Sequence, residues 1–241
     1  MSIKVISNPS IQHLQEIEDW LIEEDNLFKK GFYCNISIIK QSFDTKNLIV
    51  ITENKKAIGF LTYYFSHDLV VEISIAEIKQ DKRKMGLGKV LLENSCNNFI
   101  KMGALVAQLK CSPVSSRKAW KRMGFMDFPA GIIRESGLYL YKILVETTSL
   151  YSGNGDVERI DLWDFDDHFN QIGPKWRWEL KRKPDSNVLI KPIIQPAGDE
   201  WSVSHNLNRK LTEKTIMKYF NRKKHDCGYF MIIKEFDQQK Q

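Results

Sequence analysis

The order of patterned segments predicts an α/β protein: a mixed central sheet flanked by helices over residues 1–146, then a small α+β domain over 157–241. Three observations carry this reading. Strand-like runs and helical periodicities alternate as far as Val145. Residues 72–88 (EISIAEIKQDKRKMGLG) read as a strand, a basic turn and a glycine pair that runs into an apolar helix over 89–102. Residues 147–156 (TTSLYSGNGD) are small and polar, carry Gly153 and Gly155, and form the expected linker.

Each element has its own signal. Asn8 and Pro9 suit a helix start, with Asn as N-cap and Pro at the first helical position. Ile11, Leu14, Ile17 and Leu21 then recur at helical spacing. Residues 48–52 (LIVIT) and 57–65 (AIGFLTYYF) are strand runs around the polar turn 53–56. In the next strand, period-two alternation sets Glu72, Ser74, Ala76 and Ile78 on one face, with Ile73, Ile75 and Glu77 on the other. The helix after the glycines aligns Leu92, Cys96 and Phe99, and Gly103 is a natural residue to follow its last turn. A strand over 104–110, a short helix within 115–125 and a strand over 138–145 complete the first domain. In the second, residues 159–165 and 175–180 read as strands, 212–221 as a helix and 229–236 as a final strand.

Composition narrows the class. The chain has 241 residues, 42% hydrophobic and 27% charged, as an ordinary globular protein does. No apolar run approaches the roughly 18–20 residues of a membrane span. The opening MSIKVISNPS lacks the apolar core of a secretory signal. Cys34, Cys96, Cys111 and Cys227 are scattered without C-x-x-C pairs, which predicts free thiols and a cytoplasmic setting. The net charge of +6 favours anionic ligands in general, without singling out nucleic acid.

The glycine turn is where chemistry is expected. Amides of a helix's first turn lack intrahelical partners and sit at the positive end of the macrodipole, so an anion is favoured there. Gly86 and Gly88 offer no Cβ to obstruct it, and Arg83, Lys84 and Lys89 add positive charge. A dinucleotide fingerprint needs glycine at Leu91, and a P-loop needs glycine at Arg83 and Ser or Thr at Val90, so both fail.

What stands here is Arg83-x-x-Gly86-x-Gly88. With Ile78 five residues upstream, the strand over 104–110 downstream, and the segment SSRKAWKRMGF over 115–125, residues 1–146 resemble the GNAT superfamily of N-acetyltransferases. The resemblance implies acetyl-coenzyme A as co-substrate and an amine acceptor, either a small molecule or a protein. It places the pyrophosphate on the turn formed by Arg83, Lys84, Met85, Gly86, Leu87, Gly88 and Lys89, and the Ile78 N–H at the thioester carbonyl. Glu72, eleven residues before Arg83, matches the spacing of the general base in the histone-acetylating branch. Two positions depart from the family pattern. Trp120 stands where tyrosine often serves as general acid, and an indole N–H cannot do so. Tryptophan there suits packing, with Tyr139 and Tyr141 as possible alternative acids. Lys84 stands where many relatives have glycine.

Other motifs read as structural. Residues 175–183 (KWRWELKRK) alternate Trp176, Trp178 and Leu180 with Lys175, Arg177 and Glu179, as a strand buried on one face does. Asp164, Asp166, Asp167 and His168, like His205, His225 and Cys227, lack metal-ligand spacing. Two rival readings remain at this stage: a non-catalytic acyl-coenzyme A sensor, and a modifier of nucleic-acid-bound or aminoacyl-RNA substrates.

Overall fold

The structure is a computed structural model that describes residues 2–28, 32–132, 137–153, 155–207, 210–221 and 226–236. The chain forms two compact units. One comprises Met1–Ser66, Val70–Phe125 and Leu140–Leu144, and the other His67–Leu69, Met126–Tyr139 and Val145–Gln241. The division is therefore not a single cut at the 147–156 linker, because the second unit also takes in stretches from within 1–146.

The first unit opens with β1 (Ile3–Ile6) and α1 (Ile11–Phe28), followed by α2 (Ile36–Asp44). Helix α1 starts later than the Asn8-Pro9 signal suggests. Ser10 is its N-cap: its carbonyl accepts from Leu14 N–H, and its own N–H donates to His13 Nδ1 at 3.0 Å. β2 (Leu48–Glu53) and β3 (Lys56–His67) form a hairpin whose turn residues Asn54 and Lys55 are both left-handed. β4 (Val70–Ile78), α3 (Leu87–Lys101), β5 (Val106–Lys110), α4 (Arg117–Arg122) and, after β6 (Met126–Asp127) of the second unit, β7 (Tyr139–Ile143) follow. Within this unit the strands run in the order β1-β2-β3-β4-β5-β7. The β1/β2 and β2/β3 pairs are antiparallel, and β4/β5 is parallel.

Period-two alternation along β2 divides its side chains between two cores. Ile49 and Ile51 join Leu91, Leu92, Cys96 and Phe99 of α3, whereas Leu48 and Val50 join Leu14, Ile17 and Leu21 of α1 and Ile39 of α2. The sheet is thus covered by helices on both faces. Along β4 the alternation slips by one residue. Val71, Ile73, Ala76 and Ile78 pack with the α3 core, while Ile75 packs with the α1/α2 core. Ile75 N–H donates to the side-chain Oγ1 of Thr62 at 3.1 Å. An extra residue in a strand reverses the faces beyond it. The expected face shared by Glu72, Ser74, Ala76 and Ile78 therefore does not exist.

In the second unit, β8 (Arg159–Trp163), β9 (Trp176–Glu179), β11 (Ser202–Leu207) and β12 (Lys210–Ile216) make a sheet of order β12-β11-β8-β9. β10 (Val188–Pro196) pairs with β13 (Phe230–Glu235). The strand read over 159–165 ends at Trp163, because Asp164 caps α5 (Phe165–Phe169) through Asp167 N–H at 2.8 Å. That cap and the Lys175 ion pair at 2.6 Å both engage the Asp164 carboxylate. The helix expected over 212–221 is strand in its first half and helix only in its second. Residues 210–216 pair antiparallel with β11, and only α6 (Met217–Asn221) is helical. Thr212, Thr215 and Ile216 are β-branched, so strand pairing overrides the helical reading. The strand expected over 175–180 is present over Trp176–Glu179, with Trp178 and the following Leu180 buried, and Trp176 stacks on Trp201 at 5.1 Å.

A partly buried ion pair lies beside this second sheet. Arg182 grips Glu158 with both guanidinium nitrogens, Nη2 at 2.7 Å and Nη1 closer still, and His205 Nε2 lies 2.9 Å from the same carboxylate. The Arg182 hydrogen bonds, and after them His205, hold the Glu158 carboxyl below its usual range. A depressed carboxyl contributes stability that is complete above the ordinary value of 4.5 and is lost as pH falls through the folded value. Arg182→Met is expected to lower stability by about 2 kcal/mol at pH 7 and to flatten the acid loss below pH 4.5, read from denaturation midpoints across pH.

Candidate active site

The parallel pairing of β4 with β5 runs only from Val70↔Val106 to Ile73↔Leu109. Beyond that the strands part, and a cleft of about 360 Å³ opens between them. Residues 73–78 of β4, Leu109 and Lys110 of β5, and Ala119 and Trp120 of α4 line it. A wider basin of about 620 Å³ shares Phe32, Glu77, Arg83, Ser112 and Pro113 with the cleft and adds Phe28, Cys34, Asn35 and Gln80.

At the end of β4 the chain turns into α3. Gly86 is the N-cap residue, left-handed at φ 79°, and no side chain caps the helix. Lys89 and Val90 amides bond back to the Gly86 carbonyl at 3.0 and 3.2 Å, which leaves the Leu87 and Gly88 amides as outward donors. A Cβ on Gly86 would meet nothing within 4 Å, and one on Gly88 only Ile78 Cγ1 at 3.9 Å. Both glycines border open space rather than neighbouring protein. Lys84, itself left-handed at φ 64°, and Met85 are exposed beside them. Uncapped amides, open glycines and a flanking cation fit a pyrophosphate.

The other sequence candidates fall differently. The Leu87 side chain is buried in the α3 core, so only its backbone faces the turn. Lys89 Nζ lies 3.7 Å from Glu93 along the helix. Glu72 lies in the paired part of β4, opposite Gln108, whose Nε2 donates to it at 3.0 Å, and it is not among the residues lining the cleft. Arg83 turns back toward the strand end: Nε donates to Ile78 O at 2.9 Å and Nη2 to Glu77 Oε1 at 2.7 Å, with Glu24 Oε2 at 3.6 Å. The Ile78 N–H faces the Glu77 carboxylate. Trp120 packs edge-on against Phe125 at 5.3 Å, and neither Tyr139 nor Tyr141 lines the cleft. Among the described residues no three His, Cys, Asp or Glu side chains gather as a metal group, and His225 lies outside them.

Sequence reasoning missed Glu77 and Glu24. Burial raises the Glu77 carboxyl above its ordinary range and Arg83 opposes that rise, while the Glu24 charge adds to it. Glu24 is buried on α1, and its Oε1 accepts the Gln80 N–H at 2.7 Å. Its signal was readable, because Glu24 falls on the apolar stripe of Ile17, Trp20 and Leu21.

No family model and no curated protein matches the chain. Solved structures do. A GNAT-family acetyltransferase from Staphylococcus aureus is 13% identical over 60% of this chain and 100% of its own, with a TM-score of 0.49. One from Bacillus cereus is 20% identical over 61% and 100%, at 0.47. The PaiA N-acetyltransferase from Thermoplasma acidophilum, solved with coenzyme A, is 16% identical over 59% and 99%, at 0.46. No helix among the described residues is long and apolar enough to cross a membrane. The strand order, the parting of β4 from β5 and the open glycine turn at α3 give the N-terminal part of the chain a mixed α/β fold with helices on both faces of its sheet.

Proposed function

We propose that the chain is an acetyl-coenzyme A-dependent N-acetyltransferase acting on an amine acceptor by direct transfer. The observation that carries this reading is the cleft between the parted ends of β4 and β5, which adjoins a helix N-terminus left open by two glycines. The Leu87 and Gly88 amides, with Lys84 beside them, hold the pyrophosphate. Acetyl-coenzyme A supplies a thioester, whose acetyl carbon is open to attack by a neutral amine.

Alkylamines are mostly protonated at pH 7, so a carboxylate at the cleft takes the first proton from the ammonium. The N–C bond then forms as the C–S bond breaks with its electron pair on sulfur. The second nitrogen proton ends on the thiol, and the carboxylate returns the first to solvent. Trp120 shapes the cleft wall and donates no proton, so the thiolate leaves without a tyrosine at that position.

Calorimetric titration with acetyl-coenzyme A, followed by a transfer assay on a panel of primary amines and peptides with free α-amino groups, tests the reading. Micromolar binding with transfer to one acceptor class is the expected result. Binding without turnover would favour an acyl-coenzyme A sensor, and absence of binding would refute the proposal.

A further inference from the structure

The arginine of the glycine signature is oriented in an unexpected way. Its role was expected at the phosphates, yet two of its nitrogens are engaged at the end of β4. We infer that Arg83 is a positioning residue that holds the Glu77 carboxylate at the cleft as the proton acceptor for the incoming amine, in place of Glu72. This rests on the acetyltransferase reading above and names the groups that serve that same site.

Three observations support it. Glu77 lines both the cleft and the adjoining basin. Its side chain is only 13% exposed, and the Arg83 guanidinium fixes one oxygen at 2.7 Å. Arg83 is itself anchored from two sides, by the Ile78 carbonyl and by the buried Glu24 of α1. Glu24 is in turn fixed through the Gln80 amide. The carboxylate is thus oriented by a chain of contacts from α1 through the turn to β4.

Electrostatics sets the working state. The charged groups facing Glu77 are Arg83 from the turn and Glu24 from α1, and Gly59 of β3 lies against its backbone. Lys110 of β5 and Cys34 line the adjoining cavities. Two carboxylates and one guanidinium leave the cluster with a surplus negative charge when all are ionised, which attracts an ammonium. Burial makes Glu77 a stronger base than an exposed glutamate, and Arg83 keeps it from being protonated at working pH. This second function separates a positioning arginine from a phosphate ligand.

The experiment compares wild type with Arg83→Gln, Arg83→Lys, Glu77→Gln and Glu72→Gln. Acetyl-coenzyme A affinity is read by calorimetry, the Glu77 carboxyl by its side-chain ¹³C titration, and transfer by the amine assay across pH. In Arg83→Gln the affinity is expected to hold, while the Glu77 titration and the rising limb of the rate profile move up by about one pH unit. Arg83→Lys should restore most of that shift. Glu77→Gln should lose about 10²-fold or more in rate with affinity retained. A roughly tenfold loss of affinity in Arg83→Gln with an unmoved titration would assign Arg83 to the phosphates and overturn the inference. A larger rate loss in Glu72→Gln than in Glu77→Gln would also overturn it. If wild type binds no acetyl-coenzyme A, the acetyltransferase reading falls and takes the inference with it.

Discussion

Gly88→Glu should abolish measurable acetyl-coenzyme A binding while leaving the protein folded at least as well as wild type. The two halves of this expectation have separate causes. A side chain at Gly88 meets only Ile78 Cγ1 at 3.9 Å, an ordinary contact, and the glycine has no left-handed conformation to defend. Replacing glycine inside a helix gains up to about 1 kcal/mol, and a carboxylate in the first turn of α3 favours the macrodipole. Folding is therefore unharmed. Binding is not, because the new carboxylate occupies the space on which the Leu87 and Gly88 amides open. Like charges about 4–5 Å apart at an effective dielectric near 20 repel by roughly 3–4 kcal/mol, or a factor of about 10²–10³ in affinity. Gly88→Ala is the control, with thermal stability unchanged or higher and affinity only modestly reduced. Calorimetry beside thermal melts separates the effects, and retained micromolar binding in Gly88→Glu would place the pyrophosphate elsewhere.

That turn was legible in the sequence because its chemistry is local. Strand, glycines and helix are consecutive, and the rule that an open helix terminus takes an anion needs no tertiary information. The hairpin of β2 and β3, the α3 core stripe and the KWRWELKRK strand were legible for the same reason. The carboxylate at the cleft was not. Glu72 matched a family spacing, and period-two alternation assigned it to an open face. One extra residue between Ile73 and Ala76 reverses that alternation. Its trace is the Ile75 backbone amide bonded to Thr62 Oγ1, 13 residues away in sequence. The role of Arg83 was hidden in another way, since its partners Glu77 and Glu24 come from two different elements. In the second unit, 210–216 misled because its polar and β-branched residues satisfy both periods, and pairing with β11 decided between them.

Gly59→Ala is expected to damage the N-terminal unit more than most single methyl additions, and to do so at the cleft. Gly59 lies in β3 opposite Ile51, where the end of β4 passes so closely that no side chain fits. A Cβ there would come within 2.5 Å of Ile78 Cδ1, 2.7 Å of the Glu77 carbonyl oxygen and 3.0 Å of Ile51 Cγ2. Ile78 could rotate its terminal methyl away. The Glu77 carbonyl is backbone, and moving it displaces β4 from the bond that Lys79 N–H makes to Ile58 O at 2.9 Å. Overpacking of this kind costs about 3 kcal/mol, roughly a hundredfold in the folding equilibrium. The strain falls on the two residues that carry the proposed base and face the cleft, so Arg83 and Glu77 should lose their register along with stability. Amide hydrogen exchange in β2 and β3 reports the first effect without requiring both units to unfold together. The Glu77 carboxyl titration reports the second. Wild-type protection in Gly59→Ala would show that β4 can shift freely, and a base held by so mobile a strand could not be positioned by Arg83 as inferred.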